Sequence, residues 1–272
     1  IYEMMYKILS EAKVSYIKWD MNRSITECYS VALPADRQGE VFHRYILGVY
    51  DLYERLNTAF PQILFESCAS GGGRFDPGIL YYAPQGWASD DTDAAERVKI
   101  QYGTSMCYPV SSMGSHVSAV PNHQLNRSTP LHTRANVAYF GTFGYELDLN
   151  KLSDEEIYQV KEQIKFMKKY RELIQFGSFY RLKSPFEGNE TVWMTVSQDK
   201  KRALVFWYRE RNLVNADYTR VRLQGLDPDL IYKNEYNGIE NYGDELMNLG
   251  LLTTDGTAGE PTCEDAPCTD YE

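Results

Sequence analysis

The sequence predicts an α/β protein in which β/α units up to about residue 176 are followed by a small antiparallel β-sandwich. Strand-length apolar segments alternate with amphipathic segments in the first part of the chain, which is typical of a parallel sheet covered by helices. After Gly177 the helical period disappears, and short strand-like segments separated by turns replace it. The two observations together define the predicted architecture.

The first part contains four strand and helix alternations. Val14, Tyr16, Ile17 and Trp19 are good strand formers, and this strand ends in charge at Asp20. Ser153 with Glu156 forms a capping-box signature at the start of the last helix. The predicted strands are 14–20, 62–66, 107–112 and 143–147, and the predicted helices are 2–9, 40–59, 94–102, 129–140 and 154–176. Loops are expected at 24–39 and 114–127.

The second part predicts strands at 191–197, 203–209, 220–223 and 230–236. Residues 253–272 are polar, acidic and rich in Gly, Thr and Pro, so we expect a loop-like or disordered tail. The predicted domains are therefore a β/α domain at 1–176, a sandwich at 177–252 and a tail at 253–272.

Composition limits the function classes. The net charge of −10 argues against nucleic acid or an anionic membrane surface as the partner. No run of eighteen apolar residues is present, so no membrane span is predicted. Five scattered cysteines suit a reducing compartment and a cytoplasmic location. Cys263 and Cys268 could bridge or bind metal, but no second Cys or His pair accompanies them, so a metal site is not expected there.

Polar residues follow each predicted strand, and two of them are carboxylates in separate units, Asp20 and Asp90. In a β/α barrel such positions converge at the carboxyl end of the sheet, where active sites lie. Two carboxylates that face one pocket are the requirement of glycoside hydrolysis. Lys18 and Asn22 are expected to keep Asp20 ionised. The competing interpretation is that Asp20 opens a turn or caps a helix.

Four motifs in register resemble the α-galactosidases of glycoside hydrolase family 36. They are residues 18–23 (KWDMNR), 67–74 (SCASGGGR), 87–93 (WASDDTD) and 113–118 (MGSHVS). Residues 184–189 (SPFEGN) resemble the start of that family's C-terminal sandwich. The resemblance implies that the β/α part is the second half of a (β/α)8 TIM barrel.

The resemblance also implies a retaining mechanism on terminal α-galactosides, with Asp20 as nucleophile, Asp90 as general acid/base, and no cofactor or metal. The choice of Asp90 over Asp91 and Asp93 rests on the family motif, and Asp93 is expected to support the loop or cap the next helix. The residues expected to line the galactose subsite are Lys18, Asn22, Cys68, Gly71 and Trp87. The full-length protein is expected to be a homo-oligomer acting on α-galactoside oligosaccharides.

Alternatives remain open at this point. The same scaffold suits an α-N-acetylgalactosaminidase or a galactosyl transferase, and a non-catalytic sugar-binding protein or an inactive fragment is a further interpretation. Family members carry an N-terminal sandwich and a first half-barrel before the nucleophile strand. Made alone, the 272-residue chain is therefore expected to be poorly active and prone to association.

Overall fold

The computed structural model describes residues 1–23, 25–211, 214 and 219–253. These residues fall into two compact units. The first comprises Ile1–Asp90 and Ser112–Gly114, and the second comprises Asp91–Ser111 together with the chain from Ser115 onward. The predicted tail lies outside the described residues beyond Thr253.

Parallel strands alternating with helices build the first unit. Its elements are α1 (Tyr2–Glu11), β1 (Tyr16–Asp20), α2 (Val41–Ala59), β2 (Leu64–Cys68), α3 (Pro77–Tyr82), β3 (Gln85–Trp87) and the start of β4 (Met113–Ser118). The pairings of β1 with β2, β2 with β3, and β3 with β4 are parallel. One register row joins Trp19, Ser67, Gly86 and Met113 across these four strands. Equivalent strand ends therefore meet at one edge of the sheet.

The alternation of β1 sends its side chains to opposite faces of the sheet. Ile17 and Trp19 pack on the core beneath helix α2, where Tyr53 and Leu56 are fully buried. Trp19 lies 4.6 Å from Tyr53 between ring centroids, at a tilted angle that aromatic pairs favour. The opposite face carries Tyr16, Lys18 and Asp20. Packing of Ile17 and Trp19 on the core therefore determines the side of the sheet to which these three polar side chains point.

The second unit continues the β/α alternation and then changes to antiparallel sheets. Its β/α elements are α4 (Ala94–Ser105), the rest of β4, α5 (Leu131–Ala138), β5 (Thr142–Glu146) and α6 (Asp154–Phe176). Ser153 accepts from the backbone N–H of Glu156, whose side chain accepts from the Ser153 N–H, so the predicted capping box is confirmed. The five strands follow one another in the sheet in the order β1-β2-β3-β4-β5.

The C-terminal strands are antiparallel, as predicted. They are β6 (Ser178–Lys183), β7 (Glu190–Val196), β8 (Ala203–Arg209), β9 (Arg220–Val221), β10 (Ile231–Lys233), β11 (Glu240–Tyr242) and β12 (Leu251–Leu252), with helix α7 at Gly243–Asn248. They form a three-stranded sheet, β6-β7-β8, and two two-stranded sheets. Val192, Met194 and Val196 on β7 are buried in its core. The domain boundaries at 176 and 252 stay predictions.

Several element predictions differ from the structure. The strand predicted at 107–112 is wrong: the chain turns there, and Val110–Ser112 is a 3-10 turn before β4. Pro109 has no N–H to donate, which disfavours a central strand at that place. Strand β4 instead lies in the segment expected to be loop. The sequence indicated a strand before Asp90, where β3 lies, but gave it no bounds. It missed β6 and the short helices α3 and α7.

Helix α2 provides a matched test of the core. Leu56 is fully buried, whereas Leu47 on the same helix is 50% exposed. Leu56→Ala should lower the free energy of unfolding by about 2–5 kcal/mol, because it removes methyl groups and leaves a cavity. Leu47→Ala should cost less than about 0.5 kcal/mol. Denaturant unfolding followed by circular dichroism measures both, and equal losses would contradict the assigned core face.

Candidate active site

The predicted site residues gather at the carboxyl ends of β1, β2 and β3. Asp20 is the last residue of β1 and pairs in register with Cys68, the last residue of β2. Trp87 ends β3, and Asp90 follows it by three residues. Asp20 and Asp90 are both exposed, while Cys68 and Trp87 are buried. All of these residues belong to the first unit.

Asp20 is held in its ionised form by four neighbours. Burial opposes the charge, but hydrogen bonds outweigh it, the largest from the Asn22 amide at 2.8 Å and the next from the Cys68 thiol. The backbone N–H of Met21 and the positive charge of Lys18 act in the same direction. Together they hold the pKa of Asp20 below its ordinary value. The expectation that Lys18 and Asn22 stabilise the carboxylate agrees with these contacts.

Asn22 joins the loop after β1 to the loop after β2. Its amide nitrogen donates to Asp20, and its carbonyl oxygen accepts from the Ser70 backbone N–H at 2.7 Å. Ser70 adopts a positive φ of 48°, a conformation that non-glycine residues rarely take. The fixed amide leaves Asn22 one orientation in which its N–H groups face the carboxylate.

Gly71 joins the loop after β2 to the loop after β3. Its φ is +75°, and a Cβ atom there would lie 2.6 Å from the Ser89 Cα and 2.8 Å from the Asp90 backbone N. Only glycine allows this approach without displacing the backbone. Gly71 therefore brings the backbone of Asp90 against the loop after β2. The preceding residue of that loop, Ser70, donates its backbone N–H to Asn22.

Cys68 stays a neutral thiol beside Asp20. Burial, followed by the hydrogen bond to Asp20, raises the pKa of Cys68 to about 11. Its backbone carbonyl accepts from the Met21 N–H at 3.1 Å and from the Arg74 guanidinium at 2.7 Å. Cys68 is buried, and its thiol contacts the carboxylate of Asp20.

Lys18 and Trp87 form the wall next to Asp20. The Lys18 Nζ lies 4.6 Å from the centroid of the Trp87 ring, within cation–π range. A Cβ on Gly114 would lie 2.7 Å from the Trp87 ring, so the ring packs against the bare backbone of β4. The Trp87 ring therefore contacts both β4 and the Lys18 ammonium.

Asp93 caps helix α4 in the second unit. It is 2% exposed and accepts from the backbone N–H groups of Ala95 and Glu96, and Arg127 donates to the same carboxylate at 2.5 Å. The prediction that Asp93 supports the helix is confirmed. Asp91 accepts from the Asp93 backbone N–H at 3.0 Å.

His116 lies within strand β4 and contacts a neighbouring strand end rather than forming part of a loop. Its Nδ1 is 3.4 Å from Glu146 at the end of β5.

No group of three His, Cys, Asp or Glu side chains in the described ranges could hold a metal ion. Among these residues no helix has the length and apolar character needed to cross a bilayer.

Glu66 was missed as a site neighbour by the sequence. It is 2% exposed on β2, and Lys18 and Gln85 flank it in register. The signal available in the sequence was a carboxylate in the apolar segment 62–66, two residues before Cys68. Charged residues are rarely fully buried unless they are paired, so a glutamate in this apolar segment indicated a positively charged or hydrogen-bonding partner.

Comparison with known proteins gives consistent results. The melibiase family matches residues 1–177, and the glycosyl hydrolase family 36 C-terminal domain matches residues 190–271. Alpha-galactosidase AgaA of Geobacillus stearothermophilus is 54% identical over 92% of this chain, and so is alpha-galactosidase Mel36A of Lactobacillus acidophilus. The chain spans 34% of the length of each of these relatives.

Solved structures show the same likeness. The crystal structure of AgaA superimposes with a TM-score of 0.90 at 53% identity, covering 93% of this chain and 35% of that one. Variants of the same protein have been solved in complex with raffinose and with stachyose. The likeness confirms the predicted fold class, a parallel half-barrel with helices followed by antiparallel sheets. The chain belongs to the melibiase family, with a C-terminal region of the glycosyl hydrolase family 36 type.

Proposed function

We propose that the protein containing this chain is a retaining α-galactosidase that hydrolyses terminal α-linked galactose from oligosaccharides. The observation that carries the proposal is the ionised Asp20, held by Asn22, Cys68 and Lys18. Its strand end is linked through the Asn22–Ser70 hydrogen bond and the Gly71 contact to the backbone of Asp90. The relatives named above are alpha-galactosidases, which supports the choice of substrate.

In the first step, an oxygen of the Asp20 carboxylate attacks the anomeric carbon from the β face. The bond between that carbon and the leaving oxygen breaks, and Asp90 gives the leaving oxygen its proton. The products are a β-galactosyl ester on Asp20 and the free aglycone. The low pKa of Asp20 keeps it ready to attack over the physiological pH range.

In the second step, the Asp90 carboxylate takes a proton from water as the water oxygen attacks the anomeric carbon from the α face. The ester bond to Asp20 breaks, which releases galactose in the α configuration and restores both carboxyl groups. This assignment requires carboxyl oxygens roughly 5–5.5 Å apart when substrate is bound. Lys18, Asn22, Cys68, Gly71 and Trp87 would line the galactose subsite.

The spacing of the two carboxylates agrees with a relative. In the AgaA variants solved with raffinose and with stachyose, single aspartates are replaced at positions 70 residues apart. Asp20 and Asp90 are also 70 positions apart. The agreement supports the pairing of these two residues, and raffinose and stachyose are the substrates we propose to test first.

Azide rescue distinguishes the two carboxylates in the assigned roles. Hydrolysis of an aryl α-galactoside should fall about 10⁴-fold or more in Asp20→Gly. It should fall about 10²- to 10⁴-fold in Asp90→Gly. Added azide should give β-galactosyl azide with Asp20→Gly, because azide attacks directly from the vacated β face. It should give α-galactosyl azide with Asp90→Gly, because azide then attacks the galactosyl ester.

The product anomers are identified by proton NMR, with enough protein to detect slow turnover. Asp51→Asn, an exposed carboxylate on helix α2, is the control and should leave the rate unchanged. The roles are reversed if the two azide products are exchanged. The proposed function is wrong if the parent protein hydrolyses the substrate and both glycine variants hydrolyse it equally fast.

Removal of the Asn22 amide should move the acidic limb of the pH profile. Because Asn22 donates to the Asp20 carboxylate and lowers its pKa, Asn22→Ala raises that pKa. Asp20 must be ionised to attack, so the loss of kcat/KM on acidification should begin at higher pH. Asn150→Ala, which removes an exposed amide that donates to Asp148 instead, is the control. An unchanged acidic limb in Asn22→Ala would contradict the role of this hydrogen bond.

A further inference from the structure

The neighbourhood of Glu66 suggests a function for this buried carboxylate. Glu66 lies in the middle of β2, in a register row with Lys18 on β1 and Gln85 on β3. It is 2% exposed, so its charge has little water around it. Cys68, two residues further along β2, points to the same face of the sheet and contacts Asp20. The carboxylate of Glu66 therefore lies one layer below Asp20.

The two oxygens of Glu66 have different partners. Oε2 accepts a hydrogen bond from the Tyr16 hydroxyl and one from the Gln85 amide at 3.0 Å. Oε1 is buried and accepts no hydrogen bond in the described part of the chain, and the Lys18 Nζ lies 4.0 Å from it. Burial and the Glu66 charge raise the pKa of Tyr16, so Tyr16 remains a protonated donor. One oxygen is thus fixed in direction, and the other faces a cation.

A buried carboxylate is costly unless a positive charge compensates it. Lysine carries a compact charge on a flexible stem, which needs external contacts to hold one position. The Lys18 ammonium has three such contacts: Glu66 below it, the Trp87 ring at 4.6 Å and the charge of Asp20. Of these, Glu66 is the most buried, and the side chains of Tyr16 and Gln85 fix its direction.

We propose that Glu66 is a positioning residue for the active site. Its carboxylate, oriented by Tyr16 and Gln85, fixes the Lys18 ammonium over Trp87 and beside Asp20. Loss of the Glu66 charge releases Lys18 from this place without removing any group that contacts the substrate. The consequence for catalysis rests on the proposed α-galactosidase function, whereas the position of Lys18 does not.

The position of Lys18 can be measured by NMR in the 272-residue chain. In the parent protein the Lys18 ε-methylene protons should resonate upfield of other lysines, because they lie near the face of the Trp87 ring. A lysine-labelled sample gives the spectrum, and Lys18→Met assigns the signal. In Glu66→Gln, which keeps the side-chain shape, the signal should move most of the way back to the ordinary lysine range. Glu190→Gln, the control, removes the partner of Lys183 in the second unit and should leave the Lys18 signal unchanged.

An unchanged Lys18 signal in folded Glu66→Gln overturns the proposal, even if this variant is thermally less stable than the parent. Should Glu66→Gln fail to fold, Tyr16→Phe removes only one donor to Glu66 and should displace the signal less, in the same direction. No displacement in folded Tyr16→Phe would likewise overturn it.

Kinetics supply the second readout. With an aryl α-galactoside, kcat/KM should fall by up to about a hundredfold in Glu66→Gln, as expected when a site group is misplaced. Glu66→Gln should add little further loss in the Lys18→Met background, because both changes remove one interaction. Additive losses would contradict positioning through Lys18. Because the 272-residue chain is expected to be poorly active alone, these rates are compared in the protein that contains it. No hydrolysis by that protein contradicts the proposed function, while the NMR result still decides the position of Lys18.

Discussion

The close approach of Gly71 to Ser89 and Asp90 is the constraint on which the site depends. A side chain at Gly71 would overlap the backbone of the next loop, and its positive φ already excludes most residues. One residue earlier, Ser70 bonds to Asn22, which in turn holds Asp20. A short series of backbone and amide contacts thus connects the ends of three strands. The two carboxylates are placed by loop contacts as much as by the strands themselves.

Charge is arranged in layers on the polar face of the sheet. Glu66 lies in the lower layer and Asp20 in the upper one, and Lys18 compensates both. The neutral Cys68 thiol adds a donor to Asp20 without adding charge. The exposed Asp20 carboxylate can therefore stay ionised near the buried Glu66, because the Lys18 cation lies close to both.

The sequence predicted the features that depend on local pattern. The strand at Tyr16 to Asp20, the capping box at Ser153 and the helix cap of Asp93 all follow from near neighbours in the chain. It gave β3 no bounds because three residues are too few to show a period, and it missed β4 because Gly114 and Ser115 interrupt its apolar pattern. Glu66 was overlooked because its partners come from other strands, at positions that only the register defines.

Covalent capture of the nucleophile tests the central claim most directly. An activated fluoro-galactoside forms its galactosyl ester quickly, and that ester is hydrolysed slowly. The ester therefore accumulates on the attacking residue. Peptide mass spectrometry of the labelled chain should locate the sugar on Asp20, and Asp20→Asn should take up none. A label on any other residue, or equal labelling of Asp20→Asn, would contradict the assignment of Asp20 as the nucleophile.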